Sequence, residues 1–358
     1  MSTYEAISAS ICEEHSSDGA REPILPEGAG SLDLFSFHDP FGLRKAIVPI
    51  LLNDVDGITR GMGSAFHVDS WGTFMTADHV IASVRGRSKR VGRRGAEIRF
   101  DIEHEDVTPM LLLGMGLVFG KPVVPAGALA RVASIRSPIR ERENPLAALI
   151  GQAEIESASD IAVMQVARPI PDKMSGTVAV RFSGVRPAVG DTVVALGFPD
   201  LDCEPVDDEA VQYLLSDGMS AAYGRIIGIH PEGVRNDPTP VIEVEANWPS
   251  GMSGGPVFNN KGEVVGVVSR SWSPSQGKAG VGYAACLPMM PWLRSWVRTV
   301  DASNPCWRVG WAVLKNDDEV IAFYRDKTDA VEHQALLGSN FRVAFGSNRI
   351  GSTDFFSR

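Results

Sequence analysis

The sequence predicts a mostly β protein, and two observations indicate it. Glycine and proline are frequent, with 36 and 23 of the 358 residues, and they bound short runs rich in valine and isoleucine. Such runs between turn-forming residues are typical of strands. The chain is long enough for two or more hydrophobic cores, and its hydrophobic share of 44% is ordinary for a globular protein. We therefore expect many short strands arranged around more than one core.

The first 40 residues are predicted to be a flexible acidic leader. Seven acidic residues and one arginine lie between Met1 and Asp33, among serines, glycines and prolines, and this composition is typical of flexible segments. No basic segment followed by an apolar stretch occurs before Gly30, so we expect no secretory signal. No run of 18 apolar residues occurs in the chain, so we expect no membrane span.

His79 is the first candidate catalytic residue, and it lies at the end of a predicted hairpin. Two apolar runs, residues 63–68 and 74–77, flank a turn at residues 69–72, and His79 follows the second run. Imidazole is the side chain that titrates closest to neutral pH, which suits a general base. A single histidine after a strand is more often a surface residue, so this role requires further residues.

Asp160 and Ser253 are the candidate acid and nucleophile. Asp160 opens an alternating apolar run, residues 161–166, which predicts a strand that leaves the carboxylate at the edge of a core. Ser253 lies in the motif Gly-Met-Ser-Gly-Gly-Pro, residues 251–256. A glycine two residues before a serine lets two amide N–H groups point at one spot beside the hydroxyl, as an oxyanion requires. The motif alone is also compatible with a flexible turn, and a serine nucleophile requires a base.

Together these motifs resemble the chymotrypsin-like (trypsin-like) serine peptidases, whose catalytic residues follow the order histidine, aspartate, serine. Thr-Ala-Asp-His ends at His79, Asp-Ile-Ala-Val begins at Asp160, and 93 residues separate Asp160 from Ser253, close to what the second barrel of that fold needs. The resemblance covers roughly residues 45–300 and is closest to the bacterial Deg-type branch. Three further segments resemble strands of that branch: residues 190–199, 262–269 and 280–284.

The resemblance implies the fold class in detail. It implies two antiparallel six-stranded β-barrels of the chymotrypsin type with a C-terminal helix, residues 288–300, in a peptidase domain over residues 41–300. The 81 residues between His79 and Asp160 imply an insertion at about residues 85–145. Residues 301–358 predict a small α+β module that does not resemble the PDZ domains of Deg-type proteins. Its ββαβ elements are expected at residues 307–314, 319–324, 328–337 and 341–345.

Charged and apolar stretches in and near the insertion allow further interpretations. Residues 85–95 carry six basic residues, and we interpret them as a solvated loop, with a site for an anionic partner or a cleavage-prone loop as alternatives. Residues 202–217 are acidic and are expected in the second barrel, where they would complement the basic loop. Residues 110–117 and 122–129 are apolar and are expected to pack the insertion onto the first barrel.

The resemblance also implies a mechanism. Ser253 would attack a peptide carbonyl, His79 would take its proton and return it to the leaving amine, and Asp160 would orient the imidazole. The backbone N–H groups of Gly251 and Ser253 would form the oxyanion hole. Met252 occupies the position where trypsins have an aspartate that binds a newly cut N-terminus. Activation by N-terminal trimming is therefore not expected.

Substrate recognition is expected to differ from that of trypsin. Asn247, six residues before the nucleophile, replaces the pocket-floor carboxylate of trypsins, so we expect a neutral or small apolar residue before the cleaved bond. Residues 269–271 are expected to pair with the substrate backbone as an added strand, although Arg270 would also suit an acidic side chain. The candidate substrate-binding residues are Asn247, Trp248, Ser269, Arg270 and Ser271.

Charge and cysteine usage narrow the functional classes. The net charge of −10 argues against general nucleic-acid binding. The cysteines do not match the disulfide frame of the secreted family, so we expect reduced thiols and a cytoplasmic protein. Their spacings indicate no metal site, and a serine triad needs no cofactor. The four are Cys12, Cys203, Cys286 and Cys306.

The leading hypothesis is therefore a serine endopeptidase of bacterial type that carries out limited, regulated proteolysis inside the cell. Its partners are a protein or peptide substrate and, as an open option, an activating protein. The alternative from another class is a catalytically latent protease-fold binding or scaffold protein, recruited through its C-terminal module. A third option is an esterase-like or self-processing enzyme with the same triad.

Overall fold

The computed structural model describes most of the chain between residues 46 and 357. The described stretches are residues 46–53, 59–68, 73–87, 89–94, 97–101, 108–112, 123–125, 129–142, 154–166, 180, 182–199, 201–206, 212–215, 219–235, 237–272, 280–290, 292–293, 307–315, 319–324, 326–349 and 355–357. The predicted leader over residues 1–40 lies outside them.

Within these stretches, twelve strands form one antiparallel sheet. They are β1 (Ile47–Asn53), β2 (Thr59–His67), β3 (Thr73–Thr76), β4 (Lys89–Arg94), β5 (Glu97–Asp101), β6 (Thr108–Leu112), β7 (Val123–Pro125), β8 (Leu129–Arg142), β9 (Glu154–Ser157), β10 (Ala162–Val166), β12 (Asp202–Pro205) and β13 (Gln212–Leu215). Neighbours pair in the order β1, β6, β8, β10, β3, β2, and β2 also pairs with β1. The path of pairings therefore returns to its start, around a core that includes Phe66, Phe74 and Ile135.

A second set of six strands closes into a barrel in the order β11, β14, β15, β18, β17, β16. The strands are β11 (Thr192–Gly197), β14 (Ser220–His230), β15 (Val241–Glu245), β16 (Pro256–Phe258), β17 (Val264–Trp272) and β18 (Val281–Cys286). Valine and alanine at alternate positions fill much of its interior, as in Val193 and Ala195 of β11. The prediction of a mostly β protein is confirmed, and one six-stranded barrel is closed.

The region predicted as an insertion contributes to the first sheet. Strands β6 and β8, both within residues 85–145, belong to the six-strand path itself. The basic segment predicted as a solvated loop instead forms the helix α1 (Ala82–Arg87) and strand β4. That prediction is wrong because β4 finds backbone partners in β5, which pairs in turn with β8.

Strand pairing corrects one further prediction. The acidic stretch of residues 202–217 was expected in the second barrel, but β12 pairs with β2 and β13 with β7, so it extends the first sheet. Of the helix expected at residues 288–300, the structure describes a short 3₁₀ turn at the start, Leu287–Met289, and the helix itself stays a prediction. Residues 294–300 lie outside the described part of the chain.

The C-terminal residues form a four-stranded sheet in the order β20, β19, β21, β22. Its elements are β19 (Trp307–Lys315), β20 (Glu319–Tyr324), α2 (Lys327–Leu337), β21 (Phe341–Arg349) and β22 (Phe355–Ser357). The ββαβ order is the predicted one, and β22 is an additional strand. Helix α2 ends at Gly338, whose φ of 96° suits a glycine C-cap.

Ser64 of β2 joins the first sheet to the loop before β16. Its backbone N–H donates to the carbonyl of Ser253 (2.8 Å), and its hydroxyl donates to the carbonyl of Gly251 (2.9 Å). The same hydroxyl accepts from the amide of Phe198, which follows β11 (2.8 Å). One buried serine thus fixes the loop that carries Ser253 against β2, the first strand of the hairpin that leads to His79.

Candidate active site

His79 is presented by a short turn after β3. The hydroxyl of Thr76, the last residue of β3, donates to the Ser64 carbonyl (2.8 Å) and fixes the strand end. A 3₁₀ turn, Asp78–Ile81, follows and buries its other three side chains. The imidazole of His79 therefore points outward, with 49% of the side chain exposed.

Asp160 holds that imidazole from the start of β10. Nδ1 of His79 lies 3.0 Å from Oδ1 and 2.9 Å from Oδ2 of the carboxylate, and the His79 backbone N–H donates to Oδ1 (2.9 Å). Oδ2 also accepts from the hydroxyl of Ser269. The Asp160 amide donates to the Thr239 hydroxyl (2.7 Å). Asp160 is only 8% exposed, so its bonds to Ser269 and Thr239 are buried, whereas those to His79 are partly buried.

The pair perturbs both pKa values. Burial would lower the pKa of His79, but the hydrogen bond and the charge of Asp160 outweigh it, and the pKa lies above its ordinary value of 6.5. Burial would raise the pKa of Asp160, but the hydrogen bond and charge of His79, with the Ser269 hydroxyl, hold it below 3.8. Asp160 is therefore a carboxylate at neutral pH, and Nδ1 of His79 carries a proton toward it.

Ser253 lies in a loop with two left-handed glycines. Gly251 has φ 88° and Gly254 has φ 85°, a region that other residues rarely adopt. A side chain at Gly254 would also overlap with the Ser64 carbonyl and the Thr76 hydroxyl. The second glycine of the motif is thus required by close contact. Among the described residues, the hydroxyl of Ser253 makes one hydrogen bond, to the Ser269 carbonyl at 3.2 Å.

The amides around Ser253 fall into two groups. Those of Met252, Gly254 and Gly255 donate to backbone carbonyls at 3.3, 2.8 and 2.9 Å. Those of Gly251 and Ser253 donate to no acceptor in the described part of the chain. The two unpaired donors are the ones that the motif predicts for an oxyanion hole, and they flank the candidate nucleophile.

The side chains of the predicted substrate-binding residues Ser269 and Arg270 are both occupied by other residues of the protein. The Ser269 side chain is buried and its hydroxyl donates to Asp160, so only its backbone is left for the expected pairing with substrate. The Arg270 guanidinium pairs with Asp237, whose other oxygen accepts from the Thr239 hydroxyl (2.5 Å). An acidic substrate group would therefore compete with Asp237 for Arg270.

Trp248 is a core residue. It is 2% exposed, and its ring lies where a side chain at Gly282 would be. Its carbonyl accepts from the Ser271 hydroxyl (2.6 Å), and its indole N–H has no partner among the described residues. Asn247 beside it is half-buried. The barrel therefore encloses the ring, and the expected contact of Trp248 with substrate stays a prediction.

Several residues of the site were missed by sequence reasoning. The hydroxyls of Ser64, Thr76 and Thr239 bond backbone groups that are distant in the sequence, and no local sequence pattern identifies them. Asp78 and Asp237 are ordinary acidic residues in the sequence, and their partners come from other elements.

The described residues offer little support for metal binding or membrane insertion. They contain no group of three or more histidine, cysteine, aspartate or glutamate side chains placed to hold a metal ion. None of their helices combines the length and apolarity needed to cross a membrane. Cys286 is a free buried thiol, and burial raises its pKa to about 11.

Comparison with known proteins places the site in a family. The family model described as "Trypsin-like peptidase domain" matches residues 63–267. A "Probable periplasmic serine endoprotease DegP-like" of Rhizobium meliloti (strain 1021) is 34% identical over 138 residues, 38% of this chain and 23% of that protein. The "Periplasmic pH-dependent serine endoprotease DegQ" of Escherichia coli (strain K12) is 30% identical over 138 residues, 38% of this chain and 26% of that protein. This chain thus spans about a quarter of these relatives.

Solved structures show a more distant likeness. The active form of the Rv3671c protease from M. tuberculosis aligns with a TM-score of 0.42 and 15% identity, over 80% of this chain and 95% of that one. The crystal structure of Deg5 aligns with a TM-score of 0.37 and 18% identity, over 71% and 91%. The family assignment therefore comes from the sequence matches, which also favour the Deg-type branch.

Proposed function

This chain belongs to the trypsin-like peptidase family, and from that premise we propose that it is a serine endopeptidase acting on protein or peptide substrates. In this proposal Ser253 is the nucleophile, His79 the general base and Asp160 the residue that orients the base. The observation that carries it is one juxtaposition. Two amides without an acceptor among the described residues, those of Gly251 and Ser253, lie beside the Ser253 hydroxyl. The carbonyl that accepts this hydroxyl belongs to Ser269, whose side chain donates to Asp160.

The protonation pattern fits the proposed roles. Because Nδ1 of His79 faces the Asp160 carboxylate, the proton resides there and Nε2 is left as the acceptor. His79 would take the Ser253 proton during attack on the carbonyl, and the imidazolium would be stabilised by Asp160, which stays ionised. His79 would then protonate the leaving amine. Water would repeat the steps on the acyl-enzyme.

The developing oxyanion would bind the amides of Gly251 and Ser253. Each preorganised donor of this kind contributes about 3 kcal/mol in comparable sites. Met252 between them is buried in the barrel core, so no carboxylate there awaits a new N-terminal amine. We propose that activation depends on substrate or a partner instead of N-terminal trimming.

A second candidate function is favoured by one observation. The hydroxyl of Ser253 bonds the Ser269 carbonyl, so it must rotate toward His79 before it can be deprotonated. A protein fixed in this arrangement would be a latent, protease-fold binding protein. The peptidase proposal requires that rotation, which costs one weak hydrogen bond of about 1 kcal/mol.

The substrate backbone would add to the edge of β17. Strand β16 stops at Phe258, and its pairing with β17 reaches Val267. From Arg270 to Trp272, β17 pairs with β18 on one side only, within the described residues. An extended peptide would pair with the open side and bring its carbonyl to the amides of Gly251 and Ser253.

Cleavage is proposed to follow small, neutral residues. The Trp248 ring lies on Gly282, whose partner across β17 and β18 is Ser271, and the Ser271 hydroxyl binds the Trp248 carbonyl. The ring thus fills the space between the nucleophile loop and the end of β17. A large substrate side chain would have to displace it.

The finer organisation is also proposed. Residues 41–300 would be one peptidase domain of two barrels, since the first sheet's pairings return to β1. Residues 301–358 would be a separate module that recruits a regulator. Limited, regulated proteolysis inside the cell is the proposed role, whereas the DegP-like and DegQ relatives are named as periplasmic proteins.

The test is hydrolysis of an unfolded protein such as reduced casein by the purified chain, with mass spectrometry of the products. Ser253→Ala is the matched control, since it removes one oxygen and leaves the loop. We expect new termini with the wild type only, mostly after small residues. Equal products with both proteins, or hydrolysis of esters without hydrolysis of peptides, would contradict the proposal.

A further inference from the structure

Asp78, directly before His79, is a buried carboxylate that the triad does not use. It is 4% exposed and begins the 3₁₀ turn that presents His79. Its Oδ1 accepts from the Ser137 hydroxyl and its Oδ2 from the Ser157 hydroxyl, each at 2.6 Å. Short hydroxyl-to-carboxylate bonds of this length are charge-assisted and strong. A buried carboxylate is costly unless it is bonded in this way.

The two serines come from strands outside the hairpin of His79. Ser137 lies in β8, and Ser157 ends β9, which pairs with β8 so that Ser157 faces Ile139. Three residues after Ser157 the chain reaches Asp160. Adjacent residues of one segment, Asp78 and His79, therefore bind Ser157 and Asp160 of another.

This double connection fixes the geometry of the imidazole. The bond between Asp78 and Ser157 runs beside the bonds between His79 and Asp160. A single bond would leave the turn free to pivot about it, whereas two bonds between the same two segments define an orientation. Ser137 attaches the same carboxylate to β8 and so to the core of the sheet.

Asp78 also contributes charge. The charged groups that face His79 are Asp160, Asp78 and Arg270. The charges of Asp160 and Asp78 raise the pKa of His79, and that of Arg270 lowers it. Arg270 pairs with Asp237, which leaves the two carboxylates to stabilise the imidazolium.

We propose that Asp78, held by Ser137 and Ser157, is a positioning residue that fixes the His79 turn against Asp160 and supports the protonated imidazole during turnover. The inference rests on the proposed function, because it assigns Asp78 a part in the work of the same base. A purely structural role would affect only folding, whereas this role predicts that the charge of Asp78 also changes the titration of His79.

The first test is the rate of labelling by a fluorophosphonate as a function of pH. Asp78→Asn keeps the shape and removes the charge. We expect its plateau rate to fall about tenfold through lost positioning, and its acid limb to move to lower pH. The double variant Ser137→Ala, Ser157→Ala keeps the charge and loses the anchor, so its plateau should fall while its acid limb does not move to lower pH. Ser183→Ala, which removes the hydroxyl of another buried serine, should match the wild type.

A second measurement separates this inference from the proposed function. In Ser253→Ala protein, the His79 ring can be titrated by NMR and assigned by its loss in His79→Gln. Addition of Asp78→Asn should shift that titration to lower pH, whether or not the wild type is a peptidase. An unchanged titration, or an unchanged labelling profile in folded Asp78→Asn, would overturn the role of Asp78. Absence of labelling in every variant, with the NMR shift present, would overturn the peptidase proposal alone.

Discussion

The two halves of the candidate site differ in how completely their polar groups are paired. On the first sheet, His79 and Asp160 are joined by three contacts, and Asp160 has further bonds to Ser269 and Thr239. On the closed barrel, the amides of Gly251 and Ser253 donate to nothing in the described part of the chain. The proposed base is therefore held in place before substrate binds, whereas the loop of the proposed nucleophile keeps two donors that a substrate would satisfy.

The largest loss of activity is expected from Asp160→Asn, which disrupts the paired half of the site. Asp160→Asn keeps the size of the side chain but changes its hydrogen bond to Nδ1, so the imidazole adopts the wrong tautomer. We expect the rate constant for hydrolysis to fall about 10⁴-fold, as in comparable triads. Steady-state kinetics with a cleaved peptide would measure it. A loss below tenfold would show that Asp160 does not orient the base.

Gly254→Ala breaks the contact between the two halves. The new side chain would overlap with Ser64 and Thr76 at a φ of 85°. We expect a loss of at least about 2 kcal/mol in the free energy of unfolding, together with activity. Gly190→Ala is the matched control, because Gly190 has φ 96° and nothing within 4 Å. Denaturant titrations would measure the free energy of unfolding of both variants. Equal losses would mean that backbone strain, and not the overlap with Ser64 and Thr76, causes the destabilisation.

Trp248→Ala sharpens the account of the barrel half. Removing the ring from Gly282 should open space, so that peptides with a leucine or phenylalanine before the cleaved bond gain about tenfold relative to alanine. Trp248→Phe keeps most of the volume and should retain the preference for small residues. A peptide library read by mass spectrometry gives the ratios. An unchanged preference in folded Trp248→Ala would place the specificity elsewhere.

The pH dependence tests the electrostatics of the paired half. Because the pKa of His79 is raised, activity should still be rising above pH 6.5, and in Asp160→Asn the acid limb should move lower. The same pairing links stability to pH. The contribution of His79 to the free energy of unfolding is fully present below pH 6.5 and is lost as the pH rises through its raised pKa. The contribution of Asp160 is fully present above pH 3.8 and is lost as the pH falls through its lowered pKa. An acid limb centred below pH 6.5 in the wild type would contradict this account.

The smallest loss of activity is expected from Ser269→Ala. It removes one of the donors to Asp160 and leaves the others, so we expect a loss of about 1 to 2 kcal/mol of transition-state stabilisation, or about tenfold in rate. Ser271→Ala is the matched control, since its hydroxyl binds the Trp248 carbonyl and not the triad. A larger loss from Ser271→Ala would reverse the assignment of the two serines.

The sequence could predict the residues whose chemical type is itself the signal. His79, Asp160 and Ser253 stand in short motifs in a set order, and the glycines of the serine motif require special backbone angles. The structure brings His79 and Asp160 into contact, while their catalytic roles stay proposals. The strands at residues 192–197, 264–272 and 281–286 were also foreseeable, because residues 190–199, 262–269 and 280–284 resemble strands of the Deg-type branch.

What could not be predicted depends on pairing between distant segments. Nothing near Ser64 shows that it binds Gly251, 187 residues away. The acidic strand β12 pairs with β2, which no local pattern reveals, and so it was assigned to the wrong barrel. The basic strand β4 has a composition typical of a loop, but its partner β5 stabilises it as a strand.

The most direct test of the central claim is labelling of the purified chain with a fluorescent fluorophosphonate, beside Ser253→Ala and His79→Ala. The account predicts labelling of the wild type alone, with the probe located on the peptide that contains Ser253. Labelling that persists in Ser253→Ala, or a wild type that stays unlabelled alone and in cell extract, would contradict it.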